Sequence, residues 1–115
     1  MILIAGAVDV DAERRESALA AARGLLAPTR AQAGCLDYVW AADPAVPGRI
    51  YVYERWADEA SLAAHFAGTW YRQMLAAIGG HGIRKVDVLK YRVALSEPVY
   101  DPEGRPRADF FSAGG

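Results

Sequence analysis

Hydrophobic and polar positions in the first part of the chain predict a strand followed by a helix. Ile2–Val10 is an almost continuous apolar run, which is typical of a buried strand. Apolar residues then recur at helical spacing over about residues 11–33, with Asp11 among the candidate caps, a kink near Pro28 and a stop at Gly34. The chain therefore opens with a β-α pair.

The middle of the chain predicts two strands and two short helices. CLDYVWAA (Cys35–Ala42) and RIYVYERW (Arg49–Trp56) flank DPAVPG, a segment rich in turn-forming residues. Asp58 is a good N-cap for a helix over about residues 59–67, and Thr69 is the candidate cap of a second helix, WYRQMLAAI.

A last strand is predicted over residues 83–95, which completes the order β-α-β-β-α-β. This order is typical of the ferredoxin-like α+β fold with an antiparallel sheet. We predict one domain over residues 1–95 and a C-terminal tail extension, rich in Pro and Gly, over residues 96–115.

The strand IYVYERW carries bulky side chains on both faces. Ile50, Val52 and Trp56 share one face, and Tyr51 and Tyr53 share the other. Helices cover one face of a ferredoxin-like sheet, and apolar residues on both faces are typical of strands covered on both sides. A second copy of the sheet is the simplest cover for the other face, with the tail as its rival. We therefore predict a homodimer with sheets packed face to face and the long last strand reaching the partner.

Composition excludes several classes of function. The net charge of −1 leaves no basic surface for nucleic acid, and no segment is long and apolar enough to span a membrane. The one cysteine, Cys35, fits a reducing compartment, so we expect a cytoplasmic protein. Because arginine far outnumbers lysine and alanine is abundant, we expect a bacterial source.

Three stretches resemble the antibiotic biosynthesis monooxygenase (ABM) superfamily of dimeric α+β barrels, which includes quinol monooxygenases. They are PTRAQAGCLDYVW at residues 28–40, PGRIYVYERWADEASLAAHF at residues 47–66 and the closing valine-rich strand. The resemblance covers about residues 2–95. One departure is that the family pattern usually has an acid and a proline where this chain has Gln32 and Ala33. The resemblance implies a dimer with one pocket per protomer, between sheet and helices.

Some members of the superfamily oxidise quinols or anthrones with O2 and no cofactor, because the deprotonated substrate is its own electron source. The resemblance therefore implies a cofactor-independent monooxygenase that acts on a small aromatic quinol, anthrone or polyphenol. Such a protein must supply an apolar pocket, a proton acceptor and orientation. Two alternatives remain: a non-catalytic dimer that binds a small aromatic ligand, and an isomerase or decarboxylase on the same barrel.

His65 is the candidate catalytic residue. Imidazole titrates near neutral pH, as a proton acceptor here would need, and His65 stands three residues after Leu62 at the edge of the apolar stripe. It also matches the histidine of the family's Leu-x-x-His pattern. The alternative is a structural histidine that is bonded to Glu54 or to a backbone carbonyl.

An unusually aromatic middle region supplies the candidate substrate-binding residues. Each fits a core or a dimer interface as well as a pocket wall, and Glu54 alone could orient His65 or form a structural ion pair. Gly68 opens the segment between the two short helices and makes the residues just after it candidates for the pocket lip. The set is Tyr38, Trp40, Glu54, Trp56, Phe66, Trp70 and Tyr71.

Metal, haem and thiol chemistry are disfavoured. Two histidines and one cysteine give little support to a dedicated metal site, His81 is most simply a loop residue, and no orienting group is evident for a Cys35–histidine pair. Haem-degrading relatives use an asparagine on the first strand, whereas this chain has no asparagine and carries Met74 near the position of their axial histidine.

Overall fold

The computed structural model describes residues 1–112, so the end of the predicted tail, residues 113–115, lies outside the described part. A short 3-10 turn, Ala12–Arg14, joins the first strand to the first helix. The elements are β1 (Ile2–Val10), α1 (Arg15–Arg30), β2 (Cys35–Ala42), β3 (Arg49–Trp56), α2 (Glu59–Ala67), α3 (Thr69–Gly79) and β4 (Ile83–Arg92).

The strands form one antiparallel sheet in the order β2-β3-β1-β4. With the helices on one side, this is the ferredoxin-like α+β fold, and the predicted fold class is confirmed. The sheet of a single chain is open and does not close into a barrel by itself. None of the helices in residues 1–112 has both the length and the hydrophobicity that crossing a membrane requires.

Several predicted boundaries were wrong in detail. Helix α1 begins at Arg15, because the residues after Asp11 form a 3-10 turn, and the Asp11 carboxylate binds Arg84 at 2.6 Å instead of capping the helix. Arg15 donates to the carbonyl oxygens of Asp43 and Val46, at 2.9 and 2.8 Å, and so ties α1 to the β2–β3 turn.

The second half of the chain follows the prediction more closely. Asp58 caps α2, since its carboxylate accepts from the Ser61 N–H at 2.8 Å. The predicted cap at Thr69 was wrong: Thr69 is the first residue of α3, and the N-cap is Gly68. Strand β4 ends at Arg92 and not at residue 95.

The core lies between the helices and one face of the sheet. Alternate residues of the central strands point into it, among them Ile4, Ile50 and Trp56, all of which are buried. Helix residues such as Leu62 and Met74 close over them. Each buried side chain of this size contributes about 1.5–3 kcal/mol, so this face supplies most of the stabilisation.

The other face of the sheet, the open face, remains uncovered. It carries Tyr51, Tyr53, Leu89 and Tyr91, which are 38–57% exposed. The tail does not cover it: within the described part, every hydrogen bond of residues 96–112 joins two tail residues, mainly through Glu97 and Asp101. The alternative that the tail of the same chain covers this face is therefore not supported by residues 96–112.

Gly6 allows β4 to lie close against β1. A Cβ atom at this position would stand 2.1 Å from the Asp87 carbonyl oxygen and 2.6 Å from the Val88 Cα atom, both of them backbone atoms that cannot rotate away. Gly24, in the middle of α1, has open space around it.

Substitution by alanine should have opposite effects on the free energy of unfolding at these two glycines. Gly6→Ala should lower the free energy of unfolding by about 1–3 kcal/mol, because β1 and β4 must separate. Gly24→Ala should raise it by about 0.5–1 kcal/mol, because alanine loses less backbone entropy in a helix. Urea denaturation of both variants checks the pair, and a Gly6→Ala protein as stable as wild type would contradict the close approach.

Candidate active site

A cavity of about 600 Å³ lies between the helix-covered face of the sheet and the helices α2 and α3. Its walls are mostly apolar: the sheet supplies Ile4 and Val52, and the helices supply Phe66, Met74 and Ile78. Within residues 1–112 no helix covers β4, whose residues are nearly all exposed. Residues of this edge strand border the cavity, so β4 forms its open side.

His65 forms part of the inner wall of this cavity. It lies on the same face of α2 as Leu62 and is only 2% exposed. Its ring stacks on Trp56, with centroids 4.5 Å apart and planes inclined by 29°. Tyr38 and Tyr71 meet it edge-on at centroid distances of 5.7 and 5.5 Å. Aromatic rings on three sides thus hold the imidazole away from bulk water.

The hydrogen bond of His65 goes to neither expected partner. Its Nδ1 lies 2.8 Å from Oε1 of Gln32, in the turn after α1, and the structure gives it no bond to Glu54 or to a carbonyl within residues 1–112. Because an amide oxygen only accepts, Nδ1 carries the proton and Nε2 is the free acceptor. Burial lowers the pKa of His65, so the imidazole is neutral at neutral pH.

Glu54 borders the same cavity as the imidazole and is almost fully buried. Its Oε1 accepts a hydrogen bond from Trp56 Nε1 at 2.9 Å. Burial raises the pKa of Glu54, and the Trp56 bond only partly opposes the rise. Neither sequence alternative holds: the described residues offer Glu54 no ion pair, and it does not bind His65.

Two further polar groups belong to the cavity wall. Trp40 Nε1 is the one buried side-chain donor in residues 1–112 without a hydrogen-bond partner. Tyr38 is a neutral phenol, since burial strongly raises its pKa. The Trp40 indole is near enough to oppose that rise, yet the two groups do not reach normal hydrogen-bond geometry. The unpaired indole N–H therefore faces the protein interior beside Tyr38.

Six of the eight predicted site residues border the cavity, and two lie elsewhere. Trp56 is fully buried beneath His65 and supports the imidazole from behind. Trp70 is half-buried and is not part of the cavity wall, although its neighbour Tyr71 is. The residues at the cavity are Tyr38, Trp40, Glu54, His65, Phe66 and Tyr71. Whether they contact a substrate stays a prediction.

Gln32 is the site residue that the sequence did not reveal. The one hint in the sequence is its departure from the family pattern, which usually has an acid at this position. Its backbone is held in the turn by two hydrogen bonds, from its own N–H to the Thr29 carbonyl and from the Cys35 N–H to its carbonyl, both 3.1 Å long. This anchoring aims its side chain at His65 across 33 residues of sequence.

The remaining candidates lie outside the chemistry of the cavity. Cys35 packs against the core, and burial raises the pKa of its thiol, with Glu54 and Asp37 adding to the rise. A thiol with a raised pKa is a poor nucleophile. His81 Nδ1 is 2.5 Å from the Ala77 carbonyl oxygen, away from the cavity wall. Over residues 1–112, no three His, Cys, Asp or Glu side chains cluster as metal ligands would.

The chain belongs to the antibiotic biosynthesis monooxygenase family, whose model matches residues 1–77. A structure from Deinococcus radiodurans with the same family description has a TM-score of 0.77 at 20% identity, and the match covers 88% of this chain and all of that one. PA3566 from Pseudomonas aeruginosa has a TM-score of 0.67 at 29% identity, over 81% of this chain and 93% of its own. The resemblance seen in the sequence is confirmed.

One curated relative is similar over most of the chain. It is sll1783, an uncharacterized protein from Synechocystis, with 22% identity over 98 residues, which are 85% of this chain and 67% of the relative. The two solved structures share the fold of this chain, and the family model assigns its family.

Because the pKa of Glu54 is raised in the folded protein, the free energy of unfolding should depend on pH through this group. Glutamates of the unfolded chain titrate at about pH 4.3. Glu54 of the folded protein keeps its proton to a higher pH than that. Stability from this group is therefore full at low pH and is lost as pH rises through the folded-state pKa. Glu54→Gln keeps the acceptor for Trp56 but removes the titration.

We expect the unfolding free energy of Glu54→Gln, relative to wild type, to increase between about pH 4 and pH 7. Urea denaturation at several pH values measures this difference. Glu13→Gln, at an exposed position without a hydrogen-bond partner in the described chain, controls for the loss of one formal charge. A Glu54→Gln difference that is flat with pH would show that the carboxyl is not desolvated.

Proposed function

We propose that this protein is a monooxygenase that oxidises a small aromatic hydroxy compound with O2 and needs no cofactor. The observation that supports this most is a neutral imidazole, His65, whose Nε2 has no hydrogen-bond partner in residues 1–112 and which borders an aromatic cavity. A buried neutral base next to an apolar cavity is what deprotonation of a phenol or enol requires. Family membership agrees with this reaction class.

The proposed chemistry begins with a proton transfer. The substrate hydroxyl gives its proton to His65 Nε2, and the electron-rich anion passes one electron to O2 to form superoxide and a substrate radical. The two radicals combine on carbon, and the proton returns from the imidazole to the new peroxide. Loss of water then leaves a carbonyl, so an activated CH2 group and O2 become C=O and H2O. The substrate supplies all the electrons.

The cavity suits a flat ligand of two or three fused rings. Its volume of about 600 Å³ falls within the range of small-molecule sites, about 300–1,000 Å³. Phe66 and Tyr71, whose ring centroids are 5.0 Å apart, offer aromatic surface next to His65. Exclusion of water would strengthen the hydrogen bond between the substrate hydroxyl and His65 Nε2.

The two histidines of the chain provide a matched test. Purified protein is treated with a metal chelator, and oxygen uptake is measured with an anthrone or with menadiol, always against the spontaneous oxidation rate. His65→Ala should lower the catalysed rate by about 10²–10⁴-fold, the usual contribution of a general base. His81→Ala should keep the wild-type rate, because His81 lies away from the cavity. His65→Gln keeps more of the packing if the alanine variant is unstable.

The other outcomes of this experiment would either contradict the proposal or favour a different function. Uptake by wild type no faster than autoxidation, or equal rates in wild type and His65→Ala, would contradict the proposal. Substrate turnover without oxygen would favour an isomerase or decarboxylase on the same fold. A ligand-induced rise in Tm without turnover would favour a binding protein.

We also propose that the protein is a homodimer in which the open faces of two sheets meet. This face exposes large apolar or aromatic side chains that neither the helices nor residues 96–112 of the tail cover, among them Val39, Tyr51, Tyr53, Leu89 and Tyr91. Its charges balance: Asp9–Arg49 and Asp37–Arg55 are ion pairs, and Lys85 and Asp87 of β4 add one charge of each sign, so the face is close to neutral. A neutral, apolar and tyrosine-rich surface suits an identical copy of itself.

Light scattering after size-exclusion chromatography tests the dimer. Wild type should have twice the 12.4 kDa mass of the chain at micromolar concentration. Tyr53→Glu should shift it toward the monomer, because the new charge would be buried at the centre of the interface. Tyr100→Glu adds the same charge in the exposed part of the tail and should leave the dimer intact. A wild-type monomer would contradict this assembly.

A further inference from the structure

The side chain of Gln32 and the imidazole of His65 form a hydrogen bond between two distant parts of the chain. The turn after α1 supplies the amide, and the last turn of α2 supplies the imidazole. The amide oxygen, Oε1, is the atom that lies 2.8 Å from Nδ1. Because an amide oxygen only accepts, the imidazole donates this hydrogen bond from Nδ1.

We propose that Gln32 is the positioning residue of this site: by accepting the Nδ1 proton, it fixes the neutral tautomer of His65 whose Nε2 serves the cavity. The inference rests on the proposed function, since it assigns how the base of that reaction is oriented. Gln32 is absent from the cavity wall and therefore acts through His65 and not on the substrate. The hydrogen bond at one imidazole nitrogen decides which nitrogen is left as the base.

The lack of charge on the Gln32 amide affects the protonation of His65 as much as the position of the amide does. Beyond Gln32, the groups that surround the imidazole are Tyr38 from β2, Glu54 from β3 and Tyr71 from α3. Cys35 lies nearby at the start of β2, and Lys90 of β4 borders the same cavity. None of these groups forms a hydrogen bond or ion pair with His65 in the described structure. A carboxylate in place of the amide would stabilise the imidazolium and raise the pH above which Nε2 is free to accept a proton.

Replacing Gln32 with glutamate tests this directly, because the two side chains have the same shape and differ in charge. The imidazole nitrogens of the wild-type protein are measured by 15N NMR across a pH series, with His81→Ala used to assign the two histidines. We expect wild-type His65 as the neutral tautomer protonated on Nδ1. Gln32→Glu should raise the midpoint of the His65 titration by about one pH unit or more. Gln73→Glu, on the exposed surface of α3, should leave it unchanged.

Kinetics give a second readout that a purely structural glutamine would not alter. Gln32→Leu removes the acceptor and should lower kcat about 10- to 100-fold with little change in KM. Gln32→Glu should move the acid limb of the pH–rate profile upward together with the NMR midpoint. A merely structural role would lower Tm in both variants while leaving the tautomer and the titration midpoint as in wild type.

The inference and the proposed function can fail separately. A wild-type His65 protonated on Nε2, or a titration midpoint that Gln32→Glu leaves in place, would overturn the role of Gln32 even if the protein consumes oxygen. The expected tautomer and midpoint shift without any turnover would uphold the role of Gln32 and remove the monooxygenase proposal. The wild-type spectrum alone decides the tautomer, so an unstable variant does not block the test.

Discussion

The stacking of His65 on Trp56 is the contact on which the candidate site depends. It joins α2 to β3 through two rings whose centroids are 4.5 Å apart, and it is completed by the bond from Trp56 Nε1 to Glu54. Burying both rings removes water from the imidazole and from the carboxyl. Desolvation then moves their pKa values in opposite directions, that of His65 down and that of Glu54 up, so that both groups favour their neutral forms.

The layout of the sheet determines where the cavity beside His65 and Glu54 opens to solvent. Helices α1, α2 and α3 cover the sheet unevenly, and β4 is left exposed on both sides. Antiparallel pairing with β1 from Ile2 to Val10 holds this edge strand in the sheet, and Gly6 permits the close approach of the two strands. One face of β4 therefore forms the entrance of the cavity, and the other face extends the apolar surface proposed to meet a second copy.

Much of the fold followed from periodicity, because the physics behind it is local. Alternation in Cys35–Ala42 and Arg49–Trp56 predicted both strands with their observed bounds, and Asp58 predicted the start of α2. The misses depended on contacts between distant segments. Asp11 binds Arg84 on β4, which its own neighbourhood in sequence does not reveal. Leu36 is exposed because the register of β2 shifts at the start of the strand, although simple alternation places it with Tyr38.

The sequence allowed several residues of the site to be predicted, but not the hydrogen bond that joins His65 to Gln32. The family pattern and the aromatic density pointed to His65 and to five other residues of the cavity wall, but not to its aliphatic part. The partner of His65 was not evident, because Gln32 and His65 are 33 residues apart and meet only when α1 and α2 pack on the sheet. Trp70, chosen for its place after Gly68, is turned away from the cavity, since a one-residue step on a helix rotates a side chain by about 100°.

The central claim is that the free Nε2 of His65 receives the proton of a bound aromatic hydroxyl. The most direct test is a crystal structure of the protein with a hydroxyanthraquinone, a flat aromatic hydroxy compound that is already oxidised and therefore stable in the crystal. We predict a ligand in the cavity with a hydroxyl oxygen about 2.6–3.2 Å from His65 Nε2 and Nδ1 still bonded to Gln32. A ligand bound elsewhere, or an Nε2 bonded to another protein group, would contradict the account.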